Sequence, residues 1–289
     1  MTTVQLKPLQ IASDVRPASR GRTSGVTSLE TTVRPDGSAD LVLRITMIAL
    51  IDCGAASSDA KRLSEIALGH IRSEFSKTDS PVEDRLKNAI KRANGVVYNQ
   101  FSGDRGASVI IAAFSETQSG QVLVRLAHNG NCRAYFWAAN LQPAGSSARF
   151  QLNTPTPPPE PKLHALTKDH TWGQQNVDRN YLLPEEKEKY PHWDEPLQYL
   201  GAGEQIDPDL TLIAPLMRES NQDSINLKRG DRVLLCTVAL SKETLELTLQ
   251  QSTDQASDKL VKKIVQQASP RETDGAVVLI THQQPRPSV

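Results

Sequence analysis

The chain has 289 residues, with 33 Lys and Arg against 33 Asp and Glu, so its formal net charge is zero. That length buries a real core in one large or two modest domains, and it permits an enzyme without demanding one. Zero net charge excludes a global field that would favour nucleic acid or an anionic membrane.

No apolar run approaches the roughly 18 residues of a membrane span, and the N-terminus MTTVQLKPLQIASDVRP lacks the charged-then-apolar build of a secretory signal. The three cysteines, Cys53, Cys132 and Cys236, are far apart and form no C-x-x-C pair. A soluble, cytoplasmic protein in a reducing compartment is expected.

Residues 1 to about 28 are polar, rich in Ser, Thr and Arg, and without clear period. They read as a solvated arm, with Arg16, Arg20 and Arg22 as candidate phosphate contacts. After the turn signal RPDGS, the run ADLVLRITMIALID (39–52) predicts one or two strands ending in the small-residue loop CGAASS. From Asp59, Ala60, Leu63, Ile66, Ala67, Ile71 and Phe75 fall at steps of three and four, the stripe of a helix. A second helix opens with Ser80 as N-cap and Pro81 in the first turn, and carries the stripe Val82, Leu86, Ile90, Ala93, Val97 and Phe101.

ASVIIAAF (107–114), QVLVRLAH (121–128) and RAYFWAA (133–139) predict three strands in series, joined too closely for crossover helices and so paired as hairpins. Residues 140–163 form a Pro-rich insertion in which four of the five residues from 155 to 159 are Pro, predicting an extended segment with few donors for a sheet. It reads as a surface loop or as a docking segment. A charged helical piece follows in PEEKEKYPHWDEPLQYLG. The last third gives the strands TLIAPL (211–216), DRVLLCTV (231–238) and GAVVLIT (275–281), with two helical stripes before the last. Segregated strands and helices argue an α+β fold of antiparallel sheets covered by helices.

The chain has no H-E-x-x-H, G-x-S-x-G or phosphate-binding loop. Its strand ends carry Asp or a residue of similar size in LIDCG, HNGNCR, LCTVAL and ETDGAVV. Carboxylates converging from strand ends are the usual cage for paired Mg²⁺ or Mn²⁺. All three cysteines lie in or beside these motifs. The sharp reading of that is a soft-metal or redox site, and the plain one is core packing, as for Cys236 in its apolar strand. His128, His164 and His170 show no ligand spacing and read as structural.

In this order the pieces resemble the metal-dependent PP2C-type (PPM) serine/threonine protein phosphatases over roughly residues 19–281. IALIDCGAAS resembles the strand ending in Asp-Gly-x-Gly-Gly, and Ala93-Asn94 the Ala-Asn of the second helix. Gly106-Ala107-Ser108 resembles Gly-Thr-Thr, HNGNCR the His-x-Gly-Asp-Ser-Arg motif, and LTKDH the LTxDH. Tyr199-Leu200-Gly201 is similar to ALG, GDRVLLCTVAL to GDxLLLCSDGL, and Asp274-Gly275 to the closing Asp-Asn. The resemblance implies a four-layer α/β/β/α sandwich of two antiparallel sheets flanked by helices. It further implies a polar arm at 1–18, one domain at 19–283 and a tail at 284–289.

It also implies a damaged metal centre. The family holds its two catalytic metals with the Asp and Gly carbonyl of Asp-Gly, the Asp of Ser-Asp-Gly and the Asp of Asp-Asn, and a third with the Asp of Gly-Asp-Ser-Arg. Asp52 and Asp274 remain here. Cys53 replaces the Gly and offers only its backbone carbonyl, Asn131 replaces the third-metal Asp, Val238 the Asp of Ser-Asp-Gly, and Gly275 the Asn. Read through G-R-x-R-x-x-N-E-D, GRTSGVTSL puts Ser24 at the phosphate-binding Arg and Thr27, Ser28 and Leu29 at the Asn-Glu-Asp. Two divalent ions about 4 Å apart repel by roughly 16 kcal/mol at an effective dielectric of about 20, which two carboxylates offset poorly.

The expectation is a catalytically inactive pseudophosphatase that regulates or scaffolds through a protein partner such as a kinase, phosphoprotein or signalling protein. No cofactor is expected, or at most one weakly bound Mg²⁺ or Mn²⁺. A weakly active phosphatase with a reduced metal site and a self-assembling subunit are the alternatives.

Overall fold

The computed structural model describes residues 9–16, 23–33, 43–53, 58–101, 106–117, 121–138, 163–212, 224–251, 257–267 and 275–282. Asp274, Arg20, Arg22, the insertion at 140–162, most of TLIAPL and the tail from 284 lie outside the described residues.

Two five-stranded antiparallel sheets form the centre. The first runs, in spatial order, β2 (Thr23–Val33), β3 (Leu43–Cys53), β4 (Ala107–Glu116), β5 (Val122–Asn129) and β8 (Ile225–Leu227). The second runs β1 (Leu9–Arg16), β10 (Gly275–His282), β9 (Arg232–Cys236), β6 (Arg133–Trp137) and β7 (Leu163–Ala165). Their facing sides bury Ile48, Leu50, Ile110, Phe114, Leu126, Phe136, Leu235 and Val278. Helices α1 (Ser58–Phe75) and α2 (Val82–Phe101) cover the outer face of the first sheet, and α4 (Lys242–Gln250) and α5 (Ser257–Gln266) that of the second. A short α3 (Trp172–Asp178) lies in the segment between β7 and β8. These are the four layers that the resemblance implied.

The helical stripes behave as their spacing requires. Ala60, Leu63, Ala67, Ile71 and Phe75 of α1 meet Leu86, Ile90, Ala93 and Val97 of α2 over the odd-numbered side of β3. At about 1.5–3 kcal/mol for each large side chain withdrawn from water, this layer is a main source of stability. Arg85, 1 % exposed, is the unexpected member. Its guanidinium lies 4.3 Å over the Phe75 ring and donates to the Phe75 carbonyl through Nε at 2.9 Å, so it caps α1 from inside the core.

Several elements differ from the sequence expectation, among them β2, which begins at Thr23 inside the stretch read there as a solvated arm. Leu9–Arg16, taken there as part of a polar arm, is a strand whose whole length is in register with β10, from Leu9 against His282 to Arg16 against Gly275. Its order comes from that backbone ladder, because only Ala12 of its side chains is buried. β6 does not continue the β4–β5 hairpin but crosses to the other sheet between β7 and β9. The charged piece after Pro184 forms turns and one 3₁₀ turn at Lys187–Lys189 instead of a helix.

Candidate functional site

The strand ends meet at one edge of the sandwich. Ser24, Asp52 and Ser108 form a cross-strand row in the first sheet, on the face that points toward the second. Asp52 is 7 % exposed, and the Ser24 hydroxyl is 3.5 Å from its Oδ1. The row continues to Gly130, which turns the chain out of β5 with φ of 103°. A Cβ there would lie 2.3 Å from Ser108 Oγ and 2.8 Å from Ser108 Cα, so both backbone and space require glycine.

That turn presents Asn131 to Ser108. The Ser108 hydroxyl donates to Asn131 Oδ1 at 2.7 Å and accepts the Asn131 N–H at 3.1 Å. The carboxamide oxygen at the family's third-metal position is thus used inside the turn. On the second sheet, β9 ends at Cys236, and Thr237 closes against the start of β10. Its N–H donates to the Ala276 carbonyl at 3.1 Å, and its Oγ1 accepts the Ala276 N–H at 3.2 Å. Val238 follows in the turn, half-buried, with no side-chain oxygen to offer an ion. Gly275, buried, begins β10 against Arg16.

The cysteines do not converge. Cys53 packs in the layer under α1 and α2, Cys132 between the sheets, and Cys236 under α4 and α5. All three are free thiols. Burial, with Asp52 nearby, pushes the Cys132 thiol well up, and burial takes Cys236 up to about 12. Buried and held protonated, neither thiol is poised as a nucleophile at neutral pH.

Beside the row, Arg133 forms a forked ion pair with Asp169 through Nε at 2.9 and 3.2 Å and Nη2 at 2.5 Å. Burial opposes the Arg133 charge, but the Asp169 hydrogen bonds and charge outweigh it and raise its pKa further. The pair fastens the LTKDH segment to β6.

The sequence reading missed a second cluster. His128, His170 and Asp209 place one ligand atom each within 4.8 Å of one another. His128 stands one row in from Ser108 and is bridged to Asp209, each backbone N–H donating to the other's carbonyl at 2.9 and 3.0 Å. Asp209 Oδ2 lies 3.5 Å from His128 Nε2 and 3.4 Å from His170 Nε2, while Oδ1 accepts the Thr211 N–H at 2.7 Å. Burial raises the Asp209 pKa, but the His128, His170 and Thr211 contacts win and hold it well below the carboxylate range. Desolvation lowers that of His128 against the pull of Asp209.

Two features make this cluster a clasp more than a metal cage. Gly130 donates its N–H to His170 Nδ1 at 3.3 Å, which leaves the proton of the neutral ring on Nε2, facing Asp209. The two imidazoles stack at 4.4 Å with planes 26° apart, so their in-plane lone pairs run side by side instead of converging on one ion. No local spacing announces the cluster, because Asp209 comes 39 residues after His170.

Solved structures that match over almost the whole chain are bacterial serine/threonine phosphatases. One from S. agalactiae has a TM-score of 0.64 at 17 % identity, covering 95 % of this chain and 100 % of that one. The PPM phosphatase MsPP from Mycobacterium smegmatis, solved with cacodylate, gives 0.60 at 18 % identity, covering 98 % and 100 %. The catalytic domain of PstP, solved with two manganese ions, gives 0.60 at 18 % identity, covering 96 % and 99 %. The chain has the fold of the PP2C-type phosphatases. No family model and no curated protein matches its sequence.

Among the described residues, the strand ends of this PP2C-like fold offer a poor cage for a pair of hard cations. Asp52 is the one carboxylate in the Ser24–Asp52–Ser108 row. The side-chain oxygens of Asn131 and Thr237 are engaged in local hydrogen bonds, and the Val238 side chain has none.

Proposed function

We propose that the chain is a catalytically silent PP2C-like pseudophosphatase, a regulatory or scaffolding module in signalling whose surface carries its function. The observation that supports this best is the end of β9, where Thr237 caps β10 and Val238 takes the place of the acid. The PstP neighbour was solved with two manganese ions. A paired-ion mechanism needs carboxylates to offset the mutual repulsion of the ions, and this chain supplies too few.

Ser24 is read here differently from its motif match. As the cross-strand neighbour of Asp52 it occupies a position from which an acid would reach a shared ion. Sliding the N-terminal motif by five residues puts its final Asp on Ser24 and its phosphate Arg on Ser19. Both registers lack the Arg, which adds to the case for silence.

Asp52 favours a second reading, in which it holds one Mg²⁺ or Mn²⁺ with Asp274 and supports weak hydrolysis. Incubating the purified chain with a phosphothreonine peptide and Mn²⁺ separates the two. Release of phosphate no faster than from Asp52→Ala supports silence, whereas Mn²⁺-dependent release lost in that variant establishes the enzyme. Cytoplasmic residence belongs to the same proposal and agrees with three free, separately buried cysteines. Among the described residues no helix is long and apolar enough to cross a membrane.

A further inference from the structure

Large apolar side chains exposed to solvent concentrate in one stretch of the chain. Trp172, Tyr181, Leu183, Tyr190 and Leu197 all lie between residues 172 and 197, with Tyr181 at 72 % and Leu183 at 56 % exposure. Elsewhere, among the described residues, such side chains are Ile11, Val15, Tyr98 and Leu247. Scattered apolar groups are ordinary at a surface, but their concentration in one stretch, with Trp172 and Tyr190 in ring contact, points to an interaction site.

The patch is held in shape by backbone contacts. Trp172 donates its N–H to Glu195 at 3.0 Å, Gly173 to Trp193 at 2.9 Å and Leu197 to His170 at 2.8 Å. Trp172 and Tyr190 stand beside each other with ring centroids 6.2 Å apart and planes tilted by 51°. The tilted pair presents two joined aromatic faces, both exposed, on a segment tied down at both ends.

Its charge is equally one-sided. Between residues 172 and 197 there are six carboxylates and three cationic side chains. Of the three cations, Lys187 donates to Gln174 and lies 5.8 Å from the Trp193 ring, Lys189 pairs with Glu186, and Arg179 is exposed at the end of α3. Glu185, Glu188, Asp194 and Glu195 are exposed and form no ion pair among the described residues.

We propose that this aromatic and acidic face docks an extended, proline-rich segment of a partner protein that carries Arg or Lys. Polyproline segments pack their rings against exposed aromatic faces with little ordering cost, and flanking cations find the exposed carboxylates. The proposal deepens the protein-binding reading above by naming a surface and a ligand chemistry, and it rests on that reading.

The test is fluorescence anisotropy of the full chain with a labelled synthetic peptide of repeated Pro-Pro-Pro-Arg units. A Pro-Pro-Pro-Glu peptide and a Leu- and Arg-rich amphipathic helical peptide serve as comparisons. Saturable binding of the Arg peptide alone is expected, weakened by salt and reduced about tenfold or more in Trp172→Ala. The E188K/E195K variant, which removes no packed side chain, is expected to lose binding with an unchanged melting temperature. It therefore decides the matter if Trp172→Ala proves less stable. Absence of saturable binding, binding indifferent to E188K/E195K, or preference for the helical peptide would overturn the proposal. Catalytic silence is read separately from phosphate release, so failure here leaves it standing.

Discussion

At Gly130 a single residue carries both the turn and the remnant of the site. Any side chain there would adopt a costly positive φ and press on Ser108, whose hydroxyl holds Asn131. Gly130→Ala is expected to cost about 1–3 kcal/mol, read as a lowered melting temperature, whereas Asn131→Asp keeps the acceptor for Ser108 and is expected to leave stability nearly unchanged. The Arg133–Asp169 pair makes a sharper case, since Asp169→Ala strands a half-buried guanidinium. A loss of about 3–5 kcal/mol is expected in denaturant titration, largely recovered when Arg133→Met is added, because the cost lies in the orphaned charge. The substitutions at Asn131 and Val238 were legible in the sequence because neighbouring motif residues flank them. The use of Asn131 by Ser108 was not, since the two are brought together only by the β4–β5 ladder.

At the scale of elements, legibility followed the source of each element's order. α1, α2 and the central strands are ordered by burial, which writes a period into the residues, and their stripes matched the buried faces. β1 is ordered by hydrogen bonds to β10, which leave little trace in side-chain pattern, and β7 and β8, though they bury Leu163, Ile225 and Leu227, are too short to write a period. The same blindness hid the crossing of β6 to the second sheet, where a local hairpin was expected. It also hid the clasp between β5 and the segment at Asp209.

That clasp makes the fold sensitive to acid. Desolvation lowers the proton affinity of folded His128, so the unfolded chain binds the proton more readily below about pH 6.5 and stability falls as the pH drops. Asp209, depressed in the fold, adds a further loss as the pH falls below about 4, where the unfolded carboxylate takes up its proton. Melting temperature is expected to decline from pH 7 toward pH 5, and the slope to flatten in His128→Gln. An unchanged slope in that variant would remove His128 as the cause.

The whole molecule has the fold of the PP2C-type phosphatases, with three apolar clusters packed between and outside its two sheets. Core and site are separable because the core depends on volume and period, while the site depends on a few oxygens at fixed points. Val238 meets the first requirement without a side-chain oxygen for the second, whereas Cys53 meets the first and keeps the backbone carbonyl that the resemblance assigns to its position. Isothermal titration of the chain with Mn²⁺, beside Asp52→Ala and the N131D/V238D double variant, tests the central claim most directly. The account predicts no saturable binding of two ions to the natural chain, and a gain in Mn²⁺ affinity in N131D/V238D. Tight binding of two Mn²⁺ ions by the natural chain, abolished by Asp52→Ala, would contradict it.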